Sequence, residues 1–80
     1  MNYMPAAWQS RRARVAQENY NRENPGREVP WEWVEECLLA WRAWKEQVSY
    51  APQEAILAQA RFNEFARKIP MIVLSEIFPR

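Results

Sequence analysis

Six prolines and a single glycine divide this 80-residue chain into four segments and limit the folds that it can adopt. Proline lacks an N–H and has a fixed φ, so it ends one helix or occupies the first turn of the next. These residues are Pro5, Pro25, Gly26, Pro30, Pro52, Pro70 and Pro79. The segments between them predict helices at about 6–23, 30–50, 52–68 and 70–78.

The second segment has the strongest helical pattern. At about 100° per residue, one half of its cylinder is apolar and the other half is polar. The apolar half contains Trp33, Val34, Cys37, Leu38, Ala40, Trp41, Trp44 and Val48. A surface helix needs a narrower stripe. We therefore expect this helix at the centre of the fold with neighbours on two sides, and we expect Leu38, Trp41, Trp44 and Phe62 to be buried.

The other three segments complete the fold prediction. The first has a thin apolar stripe, and the third has apolar residues three or four positions apart. The last, Met71 to Phe78, is short and almost wholly apolar, and we predict a helix because no other segment offers a strand to pair with it. The prediction is one all-α domain over 1–80, a small helical bundle of three long helices plus a short C-terminal helix.

The composition argues against catalysis. The chain contains no histidine, aspartate or threonine, which removes the usual general bases, triads and transition-metal ligands. The glutamates at the start of the second segment are typical of a solvated helix face near a positive dipole end. We expect a protein that is not an enzyme and has no cofactor and no metal site.

One cysteine and the short apolar runs bear on location. Cys37 lies on the apolar face of the second segment, where a lone cysteine is typical of a core residue in a reducing compartment. No apolar run approaches the roughly 20 residues that a membrane helix needs. We expect a cytoplasmic protein with no membrane partner.

Five tryptophans in 80 residues favour a binding function. Tryptophan is enriched at the centres of protein interfaces, although those at helical spacing fit a core and aromatic rings can also stack on bases. The predicted partner-binding residues are Trp8, Trp31, Leu39, Tyr50, Ile77 and Phe78, and all of them except Trp8 are expected to form one exposed patch. The partner is a larger protein or a second copy of the chain. For the C-terminal helix, docking into a partner and capping the core both remain open.

Three arginines near the N-terminus are the candidates for nucleic-acid contact. Arg11, Arg12 and Arg14 make this part of the chain basic, but Glu18 and Glu23 follow, and the net charge is +1. Strong phosphate binding needs a basic face without such compensation. We expect weak nucleic-acid affinity, and a nucleic-acid-binding regulator is the alternative function from a different class.

Three stretches carry a family resemblance: AWQSR over 7–11, VAQENYNRENP over 15–25 and WVEECLLAWR over 33–42. Together they resemble the theta accessory subunit of bacterial DNA polymerase III. The family has a longer first helix and lacks a counterpart of the segment 52–68. The resemblance implies a small helical protein, without activity of its own, that binds the proofreading exonuclease subunit, with 33–42 as a contact element.

The predicted function is thus a non-catalytic protein-binding module. It acts as a small accessory or modulatory subunit of a larger protein, and a replication or proofreading exonuclease is one concrete partner. A small phage- or plasmid-encoded inhibitor of a host protein is a second version, which the sequence does not separate from the first.

Overall fold

The computed structural model describes residues 7–78, with side chains from residue 9 onward, and every regular element in that range is an α-helix. The elements are α1 (Ala7–Glu23), α2 (Trp31–Gln47), α3 (Pro52–Ala66) and α4 (Met71–Ile77). The all-α prediction is confirmed. The predicted ends of α2 and α3 lie slightly too far along the chain, because each helix is followed by turn residues before the next proline.

The breaking residues that the structure describes act as the sequence predicts, whereas Pro5 and Pro79 lie outside the described residues. Pro30 and Pro70 precede α2 and α4 in an extended conformation, with φ/ψ of −62°/142° and −58°/144°. Pro52 is the first residue of α3, where its missing N–H costs nothing. Gly26 has a φ of 87°, the left-handed region that glycine enters without a steric penalty.

Helices α2 and α3 form an antiparallel hairpin. The Sγ of Cys37 lies 3.8 Å from the carbonyl oxygen of Phe62. The Nζ of Lys68 lies 5.6 Å from the ring centroid of Trp33, so the end of α3 meets the start of α2. Helix α1 packs against α2 and against α4. The central position predicted for α2, with neighbours on two sides, is confirmed.

The buried core draws on α1, α2, α4 and the segments beside the helices, and α3 contributes partly buried residues packed against it. Its buried members are Ala13, Val29, Val34, Cys37, Leu38, Ile69, Val73 and Ile77. Partly buried aromatic rings surround this cluster, among them Tyr20, Trp33 and Phe65. Aliphatic side chains fill the centre and aromatic rings pack around them, so the four helices close around one cluster.

Leu38 is buried as predicted, with 1% of its surface exposed. Trp41, Trp44 and Phe62 are only partly buried, so the prediction for these three rings is wrong. They line one shallow cavity at the edge of the helix pair, where the ring of Phe78 packs against those of Trp41 and Phe62. Its centroid is 5.6 Å from that of Trp41 and 5.3 Å from that of Phe62. The helical periodicity of the sequence showed which side of α2 faces the core. It did not show how much of each large ring the neighbouring side chains cover.

The loop between α1 and α2 is held by amide side chains of α1. Gln17 donates its Nε2–H to the carbonyl oxygen of Val29 at 2.8 Å, and Asn21 donates its Nδ2–H to the same oxygen at 3.1 Å. The N–H of Val29 donates to Oδ1 of Asn21 at 2.7 Å. Val29 is 2% exposed, so these bonds satisfy backbone groups that water does not reach. They fix the point at which the chain turns into α2.

Candidate protein-binding groove

A groove of about 550 Å³ runs between α1 and α4. Its apolar lining consists of Val15, Ala16, Tyr20, Ile72 and Val73. Val73 is 2% exposed and forms part of the floor, whereas Val15 is 51% exposed and Ile72 65% exposed. The groove therefore has a closed apolar floor and two apolar side chains standing in solvent at its mouth.

The rim of the groove is polar and carries both charges. Arg11, Arg12, Glu23 and Glu76 line it together with Asn19. Arg12 also fixes the two helices to each other, because its Nε donates to the carbonyl oxygen of Glu76 at 2.6 Å. Carbonyls in the last turn of a helix have no partner within the helix, so this bond supplies one. Sixty-four residues separate the two groups along the chain.

Helix α4 is apolar on two sides, and each side has a different role. Val73 and Ile77 are four positions apart and buried, with 2% and 1% exposure. Met71 and Ile72 point outward, with 74% and 65% exposure. The helix therefore caps the core with one face and lines the groove with another. The prediction that Ile77 belongs to a partner surface is wrong, because the spacing from Val73 turns it into the core.

The other predicted partner-binding residues do not form one patch. Trp31 begins α2 and Tyr50 follows its end, so about 25 Å of helix separates them. Tyr50 is 67% exposed. Leu39 and Phe78 are partly buried. The side chain of Trp8 lies outside the described residues.

The three N-terminal arginines do not form a single basic face. Arg11 is exposed on the rim of the groove. Arg12 is bonded to the backbone of α4. The Nε of Arg14 lies 3.5 Å from a carboxylate oxygen of Glu18, and its guanidinium lies 4.7 Å from the ring centroid of Trp31. Two of the three cations therefore already have partners inside the chain.

Cys37 is a buried core residue, as its position in the sequence predicts. Burial raises the pKa of its thiol to about 12, and the negative charge of Glu36 adds to the shift. A neutral, buried thiol is a poor nucleophile and a poor metal ligand. Among the described residues, no three cysteine or glutamate side chains are grouped so that they could hold a metal ion. No described helix is both long enough and apolar enough to span a membrane.

The sequence did not identify Val15 and Ile72 as candidate site residues. Both are ordinary apolar residues at helical spacing, which favours a core position. The signal that was present is the almost wholly apolar α4, because a helix with two apolar faces has more apolar surface than one core contact can cover.

Comparison with known proteins finds no match: no family model fits the chain, and no curated protein or solved structure matches it significantly. The resemblance to the theta subunit therefore stays a prediction.

Proposed function

We propose that this chain is a non-catalytic protein-binding module that holds a partner in the groove between α1 and α4. The observation that carries the proposal is the exposure of Val15 and Ile72, 51% and 65%, at the mouth of an apolar groove. Apolar side chains that stand together in solvent mark interaction sites more often than singly scattered ones do.

The groove suits a protein segment better than a small ligand. Its volume of about 550 Å³ is within the range of small-molecule sites, roughly 300–1,000 Å³. A small ligand on the floor would leave the outer surfaces of Val15 and Ile72 in water. A partner helix laid along α1 and α4 would cover them with its own apolar face, as in helix-in-groove recognition.

The accessory-subunit version of the proposal names the proofreading exonuclease of a bacterial DNA polymerase III as the partner. Its support is positional: the resembling stretch 15–25 contributes Val15, Ala16, Tyr20 and two polar residues to the groove. The stretch 33–42 instead supplies buried core residues. The contact element that we propose is therefore the groove face of α1 rather than the 33–42 helix.

The test titrates the chain into purified exonuclease subunit by calorimetry and follows the melting temperature of the mixture. The wild-type chain should bind and raise the melting temperature of the exonuclease by mass action. Ile72→Glu should lose both effects. Leu57→Glu is the matched control, since Leu57 is 70% exposed on α3, away from the groove.

Each outcome of this experiment leads to a different conclusion. If the wild-type chain at micromolar concentration gives no heat of binding and does not raise the melting temperature of the exonuclease, the exonuclease is excluded as the partner. If Ile72→Glu binds as tightly as the wild-type chain, the groove is excluded as the binding site. Binding that lowers the nuclease activity of the partner supports the alternative version, a small phage- or plasmid-encoded inhibitor. For both versions we propose a cytoplasmic location, where Cys37 stays reduced.

The nucleic-acid alternative has weaker support, because Arg12 and Arg14 have partners within the chain. We expect duplex-DNA binding no tighter than about 10⁻⁶ M at physiological salt. A sequence-selective, sub-micromolar gel shift that Arg11→Ala abolishes would contradict this expectation.

A further inference from the structure

The face of α3 that points away from α2 is exposed, with the apolar residues Leu57 and Ala60 at its centre and polar residues at its two ends. We define the outer stripe as the four exposed residues Gln53, Leu57, Ala60 and Glu64. They follow one another at intervals of four, three and four residues, the spacing that keeps one line of a helix facing a second helix. Leu57 is 70% exposed, and Ile56, which flanks it, is 65% exposed.

Two opposite charges flank this stripe on one side. Glu54 and Arg61 are seven residues apart, so they lie on the same line of the helix, about two turns from each other. Both are exposed. The guanidinium of Arg61 is held in place by two hydrogen bonds to Oε1 of Glu36, yet 58% of the side chain is open to solvent. Arg61 is thus an oriented cation beside the apolar centre of the outer stripe, Leu57 and Ala60.

We propose that a second copy of this chain covers the outer stripe, with the two α3 helices antiparallel about a two-fold axis. In that arrangement Leu57 of each copy lies against the small Ala60 of the other. Glu54 of each copy lies beside Arg61 of the other, so the pair is repeated by symmetry. A parallel arrangement would place the charged line of each copy on opposite sides of the contact, where neither charge meets its complement, which disfavours it.

The size of the contact makes this dimer weak. About three turns of one helix per copy bury less than the roughly 1,200 Å² of a stable complex, the range of transient encounters. A dissociation constant on the order of 100 μM is the scale expected for so small a contact. This face is separate from the groove, so the dimer does not depend on the proposed partner binding.

Sedimentation velocity over a concentration series tests the dimer. The sedimentation coefficient of the wild-type chain should rise with concentration, and so should that of Ile72→Glu, which alters the groove alone. Leu57→Glu should remain a monomer throughout. A wild-type chain that stays monomeric at millimolar concentration overturns the proposal, and so does a Leu57→Glu chain that still associates.

A charge exchange tests the antiparallel arrangement. Glu54→Arg and Arg61→Glu should each abolish association alone, because like charges then meet at both symmetric contacts. An equimolar mixture of the two variants should associate at least as well as the wild-type chain, since opposite charges face each other at both contacts. A mixture that stays monomeric overturns the antiparallel dimer.

The fold of each variant is checked by circular dichroism. Arg61→Glu also removes the bonds to Glu36, so a melting curve must show that it stays folded. Glu54→Arg leaves that bridge intact. If Arg61→Glu does not fold, association of Glu54→Arg at the wild-type level overturns the arrangement, and its loss supports it.

Discussion

Replacing Ile77 by alanine should destabilise the fold far more than the same change at Ile72, five residues earlier in the same helix. Ile77 is 1% exposed in the core, whereas Ile72 is 65% exposed at the groove. Ile77→Ala removes three buried carbons, worth about 2.4 kcal/mol of transfer free energy at about 0.8 kcal/mol per group. The cavity left behind brings the expected loss to about 2–5 kcal/mol.

The measurement is urea unfolding followed by far-ultraviolet circular dichroism. Because an 80-residue domain has only about 4–12 kcal/mol of stability, Ile77→Ala should lower the urea midpoint strongly. Ile72→Ala should stay within about 0.5 kcal/mol of the wild-type chain. Equal midpoints for the two variants would show that α4 does not cap the core and would refute the reasoning that separates its two faces.

Two further predictions concern buried polar groups. Because burial raises the pKa of Cys37 from 9.0 to about 12, the unfolded chain releases this proton first as the pH rises. Stability should therefore fall above about pH 9, by at most about 1.4 kcal/mol per pH unit. Unfolding free energies of the wild-type chain and Cys37→Ala measured on both sides of that pH should show the slope in the wild type only. Asn21→Ala should cost about 1–3 kcal/mol by leaving the buried N–H of Val29 without its acceptor. Asn19→Ala, on the exposed side of α1, should change the urea midpoint little, and equal losses would contradict the role given to Asn21.

The helices were readable from the sequence because their signals are local. Pro30, Pro52 and Pro70 each mark the start of a helix, and the apolar half-cylinder of α2 identified the central helix. These features depend on residues within a turn or two of each other. The same local logic correctly placed Leu38 in the core.

The groove between α1 and α4 could not be predicted from the sequence, because it depends on contacts between residues that are far apart along the chain. The bond from Arg12 to the carbonyl of Glu76 positions α4 on α1, and nothing in either segment signals the other. That docking decides that Ile77 is buried and Ile72 exposed, although both are isoleucines in one apolar run. Likewise Asn21 belongs to a stretch singled out for its resemblance to a family, yet its contacts hold a loop.

The α2–α3 hairpin has unequal ends. Between Trp44 and Gln59 the only buried side chain among the described residues is Ala55, whereas the opposite end of the hairpin holds Val34, Cys37 and Leu38. A segment with few buried apolar contacts opens at a small fraction of the global unfolding free energy. Amide hydrogens near the hairpin turn should therefore exchange quickly while those of the core half stay protected.

This difference in buried contacts gives the two ends of the α2–α3 hairpin different local stabilities. The half of the hairpin near the core should open rarely, whereas the half near the turn should open often and can be stabilised by a contact. The outer stripe of α3 begins at Gln53, close to the hairpin turn. A protein that covers this stripe should therefore slow amide hydrogen exchange in the part of the hairpin that has few buried contacts. Occupancy of that face would then appear as slower exchange at the turn, with the core unchanged.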